Sequence, residues 1–460
     1  MIELLFPGNL TDVEELAAHL SLMGLRRGAS ELWAGRFART AEMLGVADDG
    51  PSAPVAFFVP GRLVILGKHT DYVGGRSLTA AIERGVCITA TPRNDQQLVL
   101  IDANSGETLV FGLDVEQPPN EHPWARYPVR IARRLARNFP GGIRGANVAF
   151  LVDLPSGSGL CRSRALSAAV FLALAEVSNL VSRDEYWHNI GGRADLTAYL
   201  AAIESGGTFG TLTGQSELSR ACRGGEDHTA ILCAEPDHLS QYAYRPVEFE
   251  KAVAVPERHL FAIGCSGRSA SVSDPVNDAG HVLWNQAEQL VGLWQSATGR
   301  DDEHLANALG TSPDAVERLR AIIAASGCEP ATKQALNARL NHFVVESSLI
   351  PQAGDALAAG DLLAFGCLVE QSQAAFEQLL GKRMPIEIKQ LVATARQFGA
   401  VAAAGFGWNG GGSVWAMIRT TRQEEFLSAW SKEYRKSCPN QAQQSSFFTT
   451  AAAPGAFRVC

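Results

Sequence analysis

The pattern of apolar and polar positions divides the chain into segments of distinct character. Apolar residues recur at helical spacing through 13–45, which predicts a helical segment carrying a basic patch at Arg26 and Arg27. The stretch DDGPSAP at 48–54 predicts a loop. From 55 to about 101, short β-rich runs alternate with turns. Residues 124–138 read as an amphipathic helix, and 147–153 as a strand ending at the turn PSGSG. A helix of small residues is expected over 163–177 and another over 195–204, followed by a Gly/Ser/Thr-rich loop over 205–225. Strands return around 247–264, and 282–398 is mostly helical. The chain closes with a glycine-rich loop at 405–412, an apolar strand at 413–418 and a helix from about Gln423. Strands and helices are mixed without a regular βαβα alternation, which predicts an α+β fold. A boundary near 235–245 gives an N-terminal domain over 1–240 and a C-terminal domain over 241–460.

Composition narrows the function classes. The 460 residues suffice for two or three domains, and 46% hydrophobic with 19% charged residues is ordinary for a globular chain. The net charge of −8 without a basic face argues against a nucleic-acid partner. The N-terminal run MIELLFPGNL has neither the basic nor the apolar region of a secretory signal. No apolar run approaches the ~18 residues of a membrane span. The nine cysteines are scattered and form no CxxC pair, which suits reduced thiols in a cytoplasm.

Three runs carry candidate chemistry. In PGRLVILGKHTDYVGG (60–75) the apolar run stops at Gly67, and Lys68, His69, Asp71 and Tyr72 follow at once. Polar side chains delivered from the end of a buried strand face a site more often than a core, because burying them elsewhere is costly. A carboxylate accepts hydrogen bonds from hydroxyls and an imidazole donates or accepts one, so the cluster suits a sugar. In PSGSGLCRSRA (155–165) Gly157 and Gly159 permit close backbone approach ahead of a helix N-terminus, which favours an anion such as phosphate. The run lacks the GxxxxGK[ST] of a Walker A loop, and a plain strand–helix turn is the alternative. The third run is the glycine-rich 405–412.

The first run resembles the galactokinase signature GRVNLIGEHTDYNGG, with Lys68 where that family has glutamate. The second resembles the PxGxGLSSSA motif of the GHMP small-molecule kinases, to which galactokinases belong. Cys161 and Arg162 replace its first two serines and Arg164 replaces its alanine. The third resembles TGGGFGG, with departures at Phe406, Trp408 and Asn409. WARY at 124–127 is similar to a WxxY element near the nucleotide base, and 339–361 and 368–387 track the helical C-terminal region of galactokinases. In all, the resemblance covers roughly residues 30 to 420.

This resemblance implies a two-domain α+β GHMP kinase fold with the active site between the N- and C-terminal domains. It implies a cytoplasmic, ATP-dependent sugar kinase that phosphorylates the anomeric hydroxyl of galactose or a related monosaccharide, with ATP and Mg²⁺. ATP would lie over Gly157, Ser158, Gly159, Leu160 and Ser163, with Trp124 near the base and at least one of Arg162 and Arg164 on a phosphate. Ser163 and Glu204 would hold Mg²⁺. Lys68, His69, Asp71 and Trp284 would meet the sugar, Trp284 standing where the family has a tyrosine. The family's GxxDQ run is best matched by GGEDHTA, which makes Asp227 the base, followed by an apolar strand at 231–233. Glu217 is the alternative base. Arg62 matches the arginine that pairs with the base and holds it ionised. Partners are then a small-molecule sugar and ATP, with no nucleic acid and no membrane, and nothing in the sequence sets an oligomeric state. Two further readings stay open: a non-catalytic sugar/ATP-binding regulator on the same scaffold, and a kinase for an anionic sugar such as a uronic acid. Lys68, a cation and donor, suits the second unless it turns aside to pair with an acidic neighbour.

Overall fold

The computed structural model describes residues 5–46, 53–114, 122–214, 224–268, 279–381, 384–407 and 412–460. The first helical segment is two helices rather than one. Helix α1 (Val13–Leu22) is capped by the Asp12 side chain, which accepts from the Glu15 amide. It stops before Gly24, whose φ of 102° no helix accommodates, and α2 (Arg27–Met43) follows.

The short β-rich runs expected over 55–101 merge into longer strands: β1 (Val55–Leu66), β2 (Arg76–Pro92) and β3 (Gln97–Asp102), with β4 (Thr108–Gly112) after them. Every residue of β1 is buried, in keeping with its nearly unbroken apolar run VAFFVPGRLVIL. Arg62 is its exception, and a buried guanidinium requires a partner. Next come α3 (Arg126–Asn138), β5 (Ala146–Val152), α4 (Arg162–Val177), α5 (Asp184–Trp187), α6 (Arg193–Ser205) and α7 (Glu226–Cys233). Helix α7 replaces the strand expected at 231–233. Its apolar run of Ala230 to Leu232 is buried all round, and a short run of that kind carries no period to separate helix from strand.

Strands β6 (His238–Ala243), β7 (Glu248–Ala254) and β8 (His259–Cys265) lead into a helical stretch: α8 (Ala279–Thr298), α9 (Leu305–Leu309), α10 (Ala315–Ala325), α11 (Pro330–Ala358), α12 (Leu362–Leu380) and α13 (Ile386–Gln397). The remainder is β9 (Ala402–Phe406), β10 (Ser413–Arg419), α14 (Gln423–Ser437), β11 (Ser446–Thr450), β12 (Ala452–Ala453) and β13 (Phe457–Arg458). The start of the glycine-rich run, Gly405 and Phe406, is thus strand; Trp408 and Asn409 lie outside the described residues.

The described strands form two sheets, giving the mixed α+β architecture expected. The first runs β13-β1-β2-β5-β3-β4, with β12 and β6 also on β2 and β7 on β6; it is antiparallel except where β3 meets β5. The second, β11-β8-β10-β9, is antiparallel throughout. Position 240 falls inside β6, a strand of the first sheet, and the two sheets divide between β7 and β8. The main core lies between the first sheet and α4 and continues to Phe261 and Trp415 of the second. Separate clusters form under α2 around Trp33 and Phe37, and among α8, α10 and α11 around Trp294 and Leu340. Among the described residues no helix is long and apolar enough to cross a membrane.

Candidate active site

A cavity of about 590 Å³ opens where the end of β1, the turn after β5 and the starts of α4 and α7 converge. Its glycine-rich wall is held from both halves of the fold. The Ser158 hydroxyl donates to the Pro155 carbonyl at 2.7 Å, closing the turn. From the other side, the Gly412 amide donates to the Gly157 carbonyl at 3.1 Å and the Ser413 hydroxyl to the Ser158 carbonyl at 2.6 Å. The backbones at Gly159 and Gly407 touch, leaving no room for a side chain on either. The structure therefore brings the second and third glycine-rich runs together. Helix α4 starts after Cys161, which sits in the left-handed region at φ 63°. Gly157, Ser158, Gly159, Leu160 and Ser163 all line the cavity, as does Trp124, whose indole donates to Glu107 at 3.0 Å.

At the floor of the cavity, four charged groups from four elements form one chain. Arg62 of β1 donates through Nε to Asp227 on the first turn of α7, and through Nη1 to the Gly159 carbonyl at 3.0 Å. Arg164 of α4 reaches the other Asp227 oxygen at 2.8 Å and donates to Glu204 of α6 at 2.8 Å. Burial alone would raise the Asp227 pKa. The guanidiniums of Arg164 and Arg62 outweigh burial and hold the carboxyl well below the usual range. Glu204 is likewise pushed up by burial but brought down to about 2, chiefly by Arg164. Both carboxylates are ionised, and both arginines are held charged by them. Arg162 turns the other way and donates to the Leu154 carbonyl at 2.9 Å, although it too borders the cavity.

The expected metal pair does not fit a protein-held Mg²⁺. Ser163 lines the cavity, but Glu204 sits behind Arg164, and its Oε2 already accepts from that guanidinium. A divalent cation there would face a fixed positive charge at the only carboxylate meant to bind it. Among the described residues no three His, Cys, Asp or Glu side chains are placed to share a metal.

The other end of the cavity is built from the turn after β1. Glu346 accepts from the Gly67 amide at 2.7 Å, and Arg339 donates to the His69 carbonyl at 2.6 Å and the Tyr72 hydroxyl at 3.2 Å, so α11 fixes the turn. His69 lies over the Phe376 ring, and burial together with nearby Arg339 lowers its pKa to about 3, keeping the imidazole neutral. Asp71 accepts from the Glu226 amide at 3.1 Å, and burial raises its pKa. Lys68 points into the cavity: its Nζ is 3.3 Å from Gln373 Oε1 and 5.0 Å from the centre of Phe376. Burial lowers its pKa to about 8, against the pull of the Glu346, Glu226 and Glu377 carboxyls. Lys68, His69 and Asp71 are thus brought together with Asp227 and Arg62 on one cavity.

Trp284 is not. It packs on the Tyr72 ring, 5.3 Å between centroids, within the helical cluster behind the cavity wall. Glu217 lies outside the described residues. Sequence reasoning missed Glu226, a cavity-lining carboxyl whose pKa burial and the charge of Asp71 raise well above the ordinary value. Its signal was present: an acidic residue directly before the proposed base. It also missed that Arg164 would bind Asp227 and Glu204.

The match to the galactokinase galactose-binding signature covers residues 48–92, the segment that delivers Arg62, Lys68, His69 and Asp71. The chain is 24% identical to a galactokinase of Glaesserella parasuis over 88% of its own length and 95% of that protein. It is 36% identical to a galactokinase of Haemophilus influenzae, over 25% of its own length and 30% of that protein. Its fold is similar to the crystal structure of Lactococcus lactis galactokinase complexed with galactose, with TM-score 0.70 and 22% identity over 90% of this chain and 97% of that one. A mevalonate kinase structure follows at TM-score 0.52 and 13% identity, covering 88% of this chain and 100% of that one. The signature falls on the turn that lines the cavity, and the glycine-rich runs meet opposite it on a fold similar to that of a solved galactokinase over 90% of this chain; in sequence and in fold the chain is similar to galactokinases.

Proposed function

We propose that this protein is an ATP-dependent sugar kinase that phosphorylates the anomeric hydroxyl of galactose or a related monosaccharide. The observation that carries the reading is Asp227, held ionised by Arg62 and Arg164 between the glycine-rich wall and the His69–Asp71 turn. The sugar would lie against His69 and Asp71, and the triphosphate against Gly157 to Ser163. Asp227 would accept a hydrogen bond from the anomeric hydroxyl and aim its oxygen at the γ-phosphorus. As that O–P bond forms, the bond from phosphorus to the ADP oxygen breaks and the hydroxyl proton passes by way of Asp227 to water. A carboxylate flanked by two guanidiniums is a weak base, so orientation is its larger contribution. Arg62 and Arg164 would offset the charge that develops on the phosphoryl oxygens. The Mg²⁺ that accompanies ATP in the resembling kinases is left to the nucleotide's own phosphates and Ser163, because Arg164 already engages Glu204. We place the reaction in a reducing cytoplasm, in keeping with described cysteines that are all free thiols.

Lys68 favours a second reading, a kinase for an anionic sugar, because its ammonium faces the cavity with an amide rather than a carboxylate beside it. Incubation with ATP and a panel of sugars, followed by NMR of the products, tests both. Galactose 1-phosphate supports the first reading, and a product from galacturonate supports the second. Binding of sugar and ATP without any ADP release would make the chain a regulator.

A further inference from the structure

We propose that Arg164 takes the place of a protein-held divalent cation: its guanidinium, bridging Glu204 and Asp227, is the positive charge against which the nucleotide phosphate docks. This rests on the reading of the cavity as a nucleotide site. Three observations carry it. Arg164 belongs to the first turn of α4, directly after the glycine-rich wall, and borders the cavity. Its Nε donates to Glu204 and its Nη1 pairs with Asp227, both at 2.8 Å, so one side chain links two carboxylates from separate helices. Around it, Asp227 and Glu204 are matched in number by Arg62 and Arg164, with Arg62 donating to Asp227 from the opposite side. A divalent ion at Glu204 would either displace Arg164 from Oε2 or take Oε1 on the side of His228, and in both cases would sit beside a guanidinium. A planar guanidinium has five N–H donors, so two bonds to carboxylates leave donors free for a phosphate oxygen. The array is a fixed set of guanidinium donors that needs no metal to assemble.

Two measurements on the full chain test this. In calorimetry, ATP is titrated into the parent, Arg164→Ala and Arg164→Lys, in EDTA and in excess Mg²⁺. The parent is expected to lose less than about threefold in affinity without Mg²⁺, and Arg164→Ala about tenfold or more, recovering in Mg²⁺ once Glu204 is free. Arg164→Lys, which keeps the charge but not the fork, should fall between them. Equal loss in EDTA for parent and Arg164→Ala overturns the proposal. In the second measurement, Mn²⁺ binding without nucleotide is followed by electron paramagnetic resonance. Arg164→Ala should bind Mn²⁺ about tenfold or more tightly than the parent, and adding Glu204→Gln should abolish the gain. Mn²⁺ bound equally well by the parent through Glu204 overturns the proposal, whatever the nucleotide result. Absence of ATP binding in both buffers would sink the nucleotide reading itself, while the Mn²⁺ arm still decides whether Arg164 occupies a cation site.

Discussion

Gly159 and Gly407 meet backbone to backbone: a Cβ on Gly159 would lie 2.1 Å from the Gly407 Cα, and one on Gly407 2.2 Å from the Gly159 Cα. Both residues also have positive φ, 73° and 71°. Gly159→Ala therefore meets two penalties, about 1–2 kcal/mol for a left-handed alanine and about 1–3 kcal/mol for forcing the two runs apart. Thermal unfolding should show a lowered midpoint, and ATP binding should weaken about tenfold as the wall opens. An unaltered midpoint with full ATP affinity would show that the two runs are free to separate.

Asp227→Asn keeps shape and removes charge. Turnover should fall by roughly 10²-fold or more, with ATP affinity nearly intact. Loss of the shared carboxylate also leaves Arg62 and Arg164 facing each other across an amide, so a stability loss on the order of 1–3 kcal/mol is expected. Glu217→Gln should retain turnover. Wild-type turnover in Asp227→Asn, with loss in Glu217→Gln, would transfer the role to Glu217.

Lys68 is pushed from an ordinary 10.5 down to about 8 by burial, only partly countered by Glu346, Glu226 and Glu377. The unfolded chain therefore binds this proton more readily between pH 8 and 10.5, and the stability contributed by this site rises across that window. Below pH 8 both states are charged and the burial cost is felt in full, up to about 3 kcal/mol for a shift of this size. Lys68→Met should accordingly be more stable than the parent at neutral pH, with the gap closing from pH 8 upward. If an anionic sugar is the substrate, its KM should rise over the same range in the parent, and a pH-independent KM would exclude a Lys68–carboxylate contact. Efficient galactose phosphorylation without any response to galacturonate would do the same.

Glu83 ties three parts of the chain. Its carboxylate accepts from the Arg26 side chain and amide and from the Ala451 amide, and its own carbonyl takes the Trp33 indole at 2.7 Å. Burial raises its pKa, but these donors, Arg26 foremost, bring it below the ordinary 4.5. The resulting stability is present above pH 4.5 and lost as pH falls through the lower, folded value. Glu83→Gln should cost about 1–3 kcal/mol at neutral pH, and the difference from the parent should vanish in acid. A constant difference down to low pH in denaturant titrations would assign the loss to packing instead.

Much of the site was legible because it is local. Lys68, His69 and Asp71 follow one strand, and Gly157 to Ser163 one turn, so a contiguous run carried each wall. Arg62 was placed by its position in the first run, and its partner Asp227 by the second acidic residue of GGEDHTA. What escaped is non-local. The bonds of Arg164 to Glu204 and Asp227 join three helices, and no spacing rule links such positions. Trp284 stands where the resembling family has a tyrosine on the sugar, but its ring packs on Tyr72. Ala402 to Ala404 of β9 lack the β-branched or aromatic signature of a strand and are held as one by pairing with β10. The strand expected at 231–233 failed for the opposite reason: a few buried apolar residues satisfy either geometry.

The return of β12 and β13 to β2 and β1 joins distant parts of the chain. In the strand that carries Arg62, Phe57 lies opposite Arg458 and Phe58 opposite Phe457. Until they pair, that flank of β1 is an open edge, and the helical region and the whole second sheet lie in the chain between. Contacts of such long range form late and slowly, so an apolar strand of the nucleotide-facing half stays exposed through much of folding.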